Sequence, residues 1–225
     1  MRLQGNIIPD RPMDLTEWAY NTLKRQILDN NLPAGSQIVV EQVAAQLNIS
    51  RTPVREALLL LQNKGIVRII PRVGCFVCEI TREELREVFE LRCIIESYAA
   101  RKAAENMSNE ELQHWLEQVN KSEAAFHKGD LMEFDAMETI IHDLLIQRLN
   151  NKRILDVMDM IADNIYRERV IGTKNVENVK QAVEEHQAIV DAIAGRRADD
   201  ACTLMEMHIR NVERRIERIV FDANK

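Results

Sequence analysis

No apolar run in the sequence approaches the ~18–20 residues of a membrane span, and the first residues carry no apolar signal-peptide core. The expected location is therefore the cytoplasm, with no membrane partner. Cysteine is scarce: Cys75, Cys78, Cys93 and Cys202 are four thiols in 225 residues. That is too few for a disulfide scaffold and suits a reducing compartment. Aromatic residues make up 4% of the chain and glycines number seven. No glycine-rich phosphate loop, internal repeat or low-complexity tract occurs. The core must then be aliphatic and methionine-rich, which is the composition of a helical bundle.

An excess of positive charge is also missing, since the net charge is −6. The deficit is uneven. Residues 1–80 hold nine Lys/Arg against seven Asp/Glu, a balance of +2, whereas residues 81–225 hold twenty-one against twenty-nine, a balance of −8. Two modules with different partners are expected, and only the first can approach phosphates. Cys75-Phe-Val-Cys78 has the spacing of a zinc or redox pair. It lacks a second pair and sits in a strand-like run, where an odd separation points the two side chains to opposite faces. The strand reading is the one adopted.

Residues 1–13 carry two prolines and little periodicity and read as a flexible N-terminal arm. From Leu15 to about Asn30, Trp18, Ala19, Leu23 and Ile27 recur at helical spacing. Ser36–Val40 reads as a brief extended segment, and Glu41–Leu47 as a short helix burying Val43, Ala44 and Leu47. Asn48 and Ile49 turn into a third helix that Gly65 ends. Ser50 or Thr52 is placed to cap it, and Pro53 falls in its first turn, where a missing N–H costs nothing. Its leading end carries Arg51, Thr52 and Arg55, with Ala57, Leu58, Leu60 and Leu61 assigned to the buried side. Ile66–Ile70 and Cys75–Ile80 are β-rich runs joined by Pro71-Arg72-Val73-Gly74, where Gly74 is available for a positive φ. Three helices and a hairpin are the winged helix-turn-helix pattern, in which the N-terminal end of the third helix enters the major groove. Arg72 then lies at the wing tip.

From Thr81 onward only helices are predicted: Arg82–Asn106, Ser108–His127, Leu131–Leu149, Lys152–Ile171, Val176–Ala194 and Ala198–Asp222. The expected fold is mostly α, a winged helix-turn-helix over 14–80 followed by an all-α six-helix bundle over 81–225. Several polar residues fall on stripes that should be apolar. Glu138 and His142 share the inward stripe of Leu131, Phe134, Ile141, Leu145 and Leu149; His186 lies among Val179, Val183, Val190 and Ile193; His208 lies among Ala201, Met205, Val212 and Ile219. Three neutral imidazoles and one carboxylate suit Zn, Ni, Fe or Mn. Ordinary hydrogen-bonded core histidines are the alternative, and the pattern leaves both open. His114 and His127 are read as surface residues. Arg92 falls on the stripe of Leu85, Phe89, Ile95 and Ala99, either paired with Glu96 at i,i+4 at the edge of the bundle or forked onto a ligand carboxylate or phosphate near the metal. Asp135 is read as an outer neighbour of the site or as a solvated residue.

The segment Val43-Ala-Ala-Gln-Leu-Asn-Ile-Ser-Arg-Thr-Pro-Val-Arg-Glu-Ala-Leu58, with Lys64-Gly-Ile and Arg72-Val-Gly74, resembles the DNA-binding domain of GntR-superfamily regulators. Glu90-Leu-Arg92 with Glu96, Glu138-x-x-x-His142 followed by Asn151, Glu185-His186 with Ala192-Ile193, and His208 resemble the FCD ligand-binding domain of the FadR branch. The resemblance implies a homodimeric regulator, usually a repressor, on a short palindromic operator, with a divalent metal that a small organic acid coordinates. By position it implies DNA contacts for Arg51, Arg55 and Gly74 and metal ligation for His142, His186 and His208. Two departures stand out: Glu138 where the family usually has Asp, and Glu41 where some members have a DNA-contacting Arg.

The expected function is a ligand-responsive transcriptional regulator, with Arg51, Thr52, Arg55, Arg72 and Gly74 at DNA, Arg92 at the effector, and Glu138, His142, His186 and His208 at metal. One rival is a metal-dependent enzyme built on the same Glu and three His. It lacks a separate general base and leaves the N-terminal head unexplained. The other is an architectural DNA binder, which the acidic second module disfavours.

Overall fold

The structure is a computed structural model describing residues 14–126 and 137–222. The expected arm, 1–13, lies outside the described residues, as do His127, Gly129, Leu131, Phe134 and Asp135. The chain forms two compact units, Met1–Thr81 with Tyr166–Ile171, and Arg82–Ile165 with Gly172–Lys225.

The first unit runs α1 (Leu15–Leu28), β1 (Gln37–Ile38), α2 (Val40–Leu47), α3 (Arg51–Asn63), β2 (Val67–Ile70) and β3 (Gly74–Val77). Asp14 caps α1 by accepting from the Thr16 amide at 2.8 Å. At the end of α2, Asn48 adopts a φ of 54°, and the amides of Asn48 and Ile49 donate to the carbonyls of Ala45 and Ala44. Asparagine tolerates this left-handed geometry, and the paired bonds satisfy carbonyls that a helix end leaves open. Gly65, at φ +71°, ends α3 in the same way, with Gly65 and Ile66 donating to Gln62 and Leu61. The two closures set the tight α2–α3 turn and the exit into the wing.

Leu23, Ile27, Val43, Leu47, Val54 and Leu61 form the centre of this unit's core, with Trp18 and Ile49 packed at its margin. Two details of α3 differ from expectation. Leu60 is 46% exposed rather than buried, because Ala57, Leu58 and Leu61 already occupy the inward arc and residue 60 lies about 100° round the helix from residue 61. Ser50 occupies the cap position, yet its side chain makes no cap hydrogen bond.

The wing is also larger than a hairpin. The antiparallel order is β1-β3-β2, with Gln37 opposite Phe76 and Ile38 opposite Cys75, so the brief segment before α2 becomes an edge strand. Cys75 is buried in β3, Cys78 follows the strand, and all four cysteines are free. At the wing turn Val73 donates to the Ile70 carbonyl at 3.0 Å, and Arg72 takes a φ of 64° alongside the +148° of Gly74. Gly74 was read as available for a positive φ, and Arg72 adopts one too. Proline locks Pro71 at a negative φ, so the reversal falls on the next residue.

The second unit contains α4 (Arg82–Asn106), α5 (Asn109–Phe126), α6 (Leu144–Arg148), α7 (Lys152–Gly172, of which Tyr166–Ile171 group with the first unit), α8 (Val176–Ala194) and α9 (Ala198–Glu217). Helix α9 packs along α4 and against α8, and α4 also meets α6 and α8. Phe89, Ile141, Leu145, Ile189, Ile193 and Met205 are fully buried between them. A capping box opens α5: Ser108 Oγ accepts from the Glu111 amide and Glu111 accepts from the Ser108 amide. The stretch expected as one regular helix, Leu131–Leu149, is described from residue 137, and Thr139–Asp143 is wound as a π-helix before α6. An apolar stripe of five residues does not distinguish the two windings. A contact remote in sequence accompanies the wide turn, the indole N–H of Trp115 donating to the Ile140 carbonyl at 3.0 Å. A second π turn, Arg218–Asp222, follows α9. No helix among the described residues is long and apolar enough to cross a membrane.

Arg72 in the left-handed region costs about 1–2 kcal/mol, of which glycine's extra unfolded-state entropy would take back about half. Arg72→Gly is therefore expected to raise stability by about 0.5–1 kcal/mol, read as a higher urea midpoint. A lower midpoint would show that the arginine side chain itself holds the turn.

Candidate metal centre and nucleic-acid interface

In the second unit, the π turn before α6, with α8 and α9, brings His142, His186 and His208 together, each at most 3% exposed. His142 Nε2 and His186 Nε2 lie 3.2 Å apart, as do His186 Nε2 and His208 Nε2. Glu138, also buried, places Oε1 3.3 Å from His186 Nε2 and Oε2 4.0 Å from His142 Nε2. The structure thus brings these four residues together.

The far sides of two rings explain why the nitrogens converge. His142 Nδ1 faces the Glu96 carboxylate, which also accepts from Arg92 Nε at 2.7 Å. His208 Nδ1 donates to Glu185 Oε2 at 2.7 Å. Arg215 grips the same carboxylate at 2.9 and 2.8 Å, and Asn211 donates to it at 2.7 Å. His142 and His208 are thus each backed by a carboxylate that an arginine neutralises. Burial would push the Glu96 pKa up, but Arg92 and His142 outweigh it and hold the carboxyl well below its usual range. For Glu185, burial is likewise outweighed by Arg215 and His208, leaving a pKa of about 2.

Ionised carboxylates only accept, so each backing bond puts the ring proton on Nδ1 and leaves Nε2 a bare lone pair. Two bare nitrogens then point at His186 Nε2, which can carry at most one proton. Burial, helped by His208, lowers the His186 pKa well below the ordinary imidazole value, and burial lowers that of His208. Protons are thus disfavoured where electron pairs converge, and neutral imidazole is the form that ligates metal. Metal–nitrogen bonds of about 2.0–2.1 Å at tetrahedral to octahedral angles require N···N separations of about 2.8–3.4 Å, a range that contains the 3.2 Å of both pairs. The donor set fits a divalent ion.

Arg92 is buried, as its stripe position requires, and its i,i+4 pairing with Glu96 is present in the interior rather than at the bundle edge. Glu185, Asn211 and Arg215 were absent from the sequence-predicted site. Glu185 precedes His186 and so lies off the stripe that singled the histidine out. Only the partner helix makes it the support of His208. His114 is exposed, beside Gln118.

In the first unit Arg51, Thr52 and Arg55 are exposed at the leading end of α3. Arg55 lines a cleft of about 790 Å³ with Glu41, Leu59, Ile70, Arg72 and Gly74. Arg51 Nη1 lies 3.1 Å from Glu41 Oε1. At Gly74 an added Cβ would fall 2.7 Å from Gln37 Nε2, the end of a flexible side chain that can swing aside, so it is the φ of +148° that favours glycine.

Residues 87–211 match the FCD domain family, and residues 15–77 match the gntR family of bacterial regulatory proteins. The chain belongs to the FCD-bearing GntR family. A member of this family is a DNA-binding transcriptional regulator, and the relatives of this one are regulators rather than enzymes. The chain is 23% identical over 219 residues to the transcriptional repressor RspR of Escherichia coli K12, covering 97% of this chain and 95% of that protein. It is 24% identical over 193 residues to the regulator YdhC of Bacillus subtilis, covering 85% and 86%. Among solved structures, a GntR regulator of Rhodococcus sp. RHA1 superposes with a TM-score of 0.71 at 20% identity, covering 89% of this chain and 96% of that one. McbR/YncC of E. coli gives 0.66 at 21% identity, covering 95% and 100%. At such identities the likeness is one of fold.

Removing the charge that backs His208 is expected to loosen metal binding without removing a ligand. Glu185→Gln should weaken affinity about 10–100-fold in a zinc titration against a competing chelator, with the helical circular dichroism intact. Affinity equal to that of the unmodified protein would show that Glu185 only braces Arg215.

Proposed function

We propose that this GntR regulator is a homodimeric repressor acting in the cytoplasm on a short palindromic operator, and that a small carboxylate metabolite tunes its DNA binding from a divalent metal site in the helical unit. The buried convergence of three histidines, with His186 Nε2 3.2 Å from the Nε2 atoms of both His142 and His208, carries the sensing half of this reading. The DNA half rests on the family and on the exposed Arg51, Thr52 and Arg55 at the leading end of α3.

In this reading α3 of each protomer enters the major groove, where Arg51 and Arg55 reach guanine edges or phosphates and Thr52 offers a hydroxyl. Arg72 and Gly74 bring the wing to the flanking backbone. His142, His186, His208 and Glu138 hold Zn, Ni, Fe or Mn. Such an ion supplies a Lewis acid that accepts a carboxylate oxygen. Arg92 steadies His142 through Glu96 and adds positive charge for an anionic ligand. The domain limits that follow are 14–80 for the DNA-binding head and 81–225 for the sensing and dimerising part. An effector alters repression only by favouring the DNA-competent arrangement differently from its alternative.

Two variants separate the halves. Arg55→Ala should weaken binding to a duplex selected by the unmodified protein about tenfold or more, since a lost bidentate base contact is worth ~1–3 kcal/mol. Unchanged affinity in a gel-shift titration would remove Arg55 from the interface. Arg92→Ala should bind that duplex normally yet lose its response to added small dicarboxylic and hydroxy acids. A normal response would make Arg92 purely structural.

A further inference from the structure

Among the described residues, the cleft that Arg55 and Arg72 line on the DNA-facing side holds one carboxylate, and it is paired with Arg51. Glu41 stands in the first turn of α2, half exposed, and lines the cleft that also contains Arg55 and Arg72. Its Oε1 lies 3.1 Å from Nη1 of Arg51, the first residue of α3. An acidic group there has one ordinary use. Val39, at the α2 cap, makes no side-chain cap bond, and a negative charge favours the amides of a helix N-terminus. That accounts for an acid at position 41 but not for its reach across to α3. Nor does stability account for the pair, because exposed ion pairs contribute little. A carboxylate facing DNA also lowers affinity for every duplex by repelling phosphates. The remaining consequence is selectivity.

We propose that Glu41 is a specificity-determining residue of the DNA head, clamping the Arg51 guanidinium so that it addresses a base edge rather than a phosphate. The proposal rests on the DNA-binding reading above. A guanidinium is a planar fork, and its bidentate fit to the O6 and N7 of guanine demands one orientation. Arg51 is 62% exposed at its side chain, so without a tether it samples many rotamers and finds the nearest phosphate. With one edge held by Glu41, less freedom is lost on meeting the correct base, and the swing toward the backbone is restrained. Absolute affinity falls while the ratio of specific to non-specific binding rises. Glu41 touches Arg51 and acts through it, so it is a positioning residue.

The test uses full-length protein as Glu41→Ala, Arg51→Ala and the double variant, beside the unmodified chain. The unmodified chain first selects its preferred duplex from a random pool. Affinities for that duplex, its single-base-pair variants and a scrambled duplex are then measured over a range of salt. Glu41→Ala should bind the scrambled duplex several-fold more tightly, with the log–log salt slope steeper by about one. It should also lose about tenfold in discrimination at the base pair that Arg51→Ala relaxes. In the Arg51→Ala background the Glu41 substitution should change discrimination no further. Unchanged discrimination in Glu41→Ala would overturn the proposal. So would an equal effect in both backgrounds, which would reduce Glu41 to a diffuse negative charge. Helical circular dichroism checks that the variants fold. If the unmodified protein enriches no sequence, the DNA-binding reading fails and this proposal with it. If a sequence is enriched and Glu41→Ala discriminates normally, only this proposal fails.

Discussion

An imidazole can offer one nitrogen as a bare electron pair only if its proton has somewhere else to go. In the helical unit that constraint is met twice, by Glu96 behind His142 and by Glu185 behind His208. Each of those carboxylates would be costly to desolvate alone, so each brings an arginine: Arg92 from the same helix, and Arg215 from the helix that carries His208. The arrangement of α4, α6, α8 and α9 is that of a frame around these charges. Removing either carboxylate would leave a ring without a fixed tautomer and an arginine without its anion.

The first unit solves the opposite problem. Its cations must stay in solvent, so the structure spends its order on the backbone that carries them. Asn48 and Gly65 close α2 and α3 by paired amide–carbonyl bonds, and an aliphatic core of residues such as Leu23, Val54 and Leu61 fixes α3 from behind. Polar side chains on top, Arg51, Thr52 and Arg55, are exposed, and Arg51 is paired with Glu41 at 3.1 Å. A rigid base with a few loose cations favours phosphate contact, and a tethered cation favours base contact.

Much of both units was legible in the sequence because its signals were local. Helix limits such as Arg82–Asn106 and Val176–Ala194 follow from caps and apolar period, and the histidines stood out because each interrupts a stripe that burial otherwise makes apolar. Where the sequence misled, a degeneracy or a remote partner was responsible. Four consecutive leucines cannot all face inward, and local pattern alone did not show that Leu60 faces out. Pro71 shifted the positive φ onto Arg72, a coupling between neighbours that glycine-counting overlooks. The π turn at Thr139–Asp143 meets Trp115 across the bundle, a bond between residues 25 apart.

The sequence by itself determined the mostly helical class, the winged head, the uneven charge and the identity of the three histidines with Glu138. Period, composition and short-range capping are properties of neighbouring residues, and the chain carries them before it folds. Only the tertiary structure decided which nitrogens face one another, that Glu96 and Glu185 hold the rings, and that Glu41 reaches Arg51. Those are distances between helices, set by how side chains 10 to 46 residues apart in the sequence pack, and periodicity within a single helix carries no information about them.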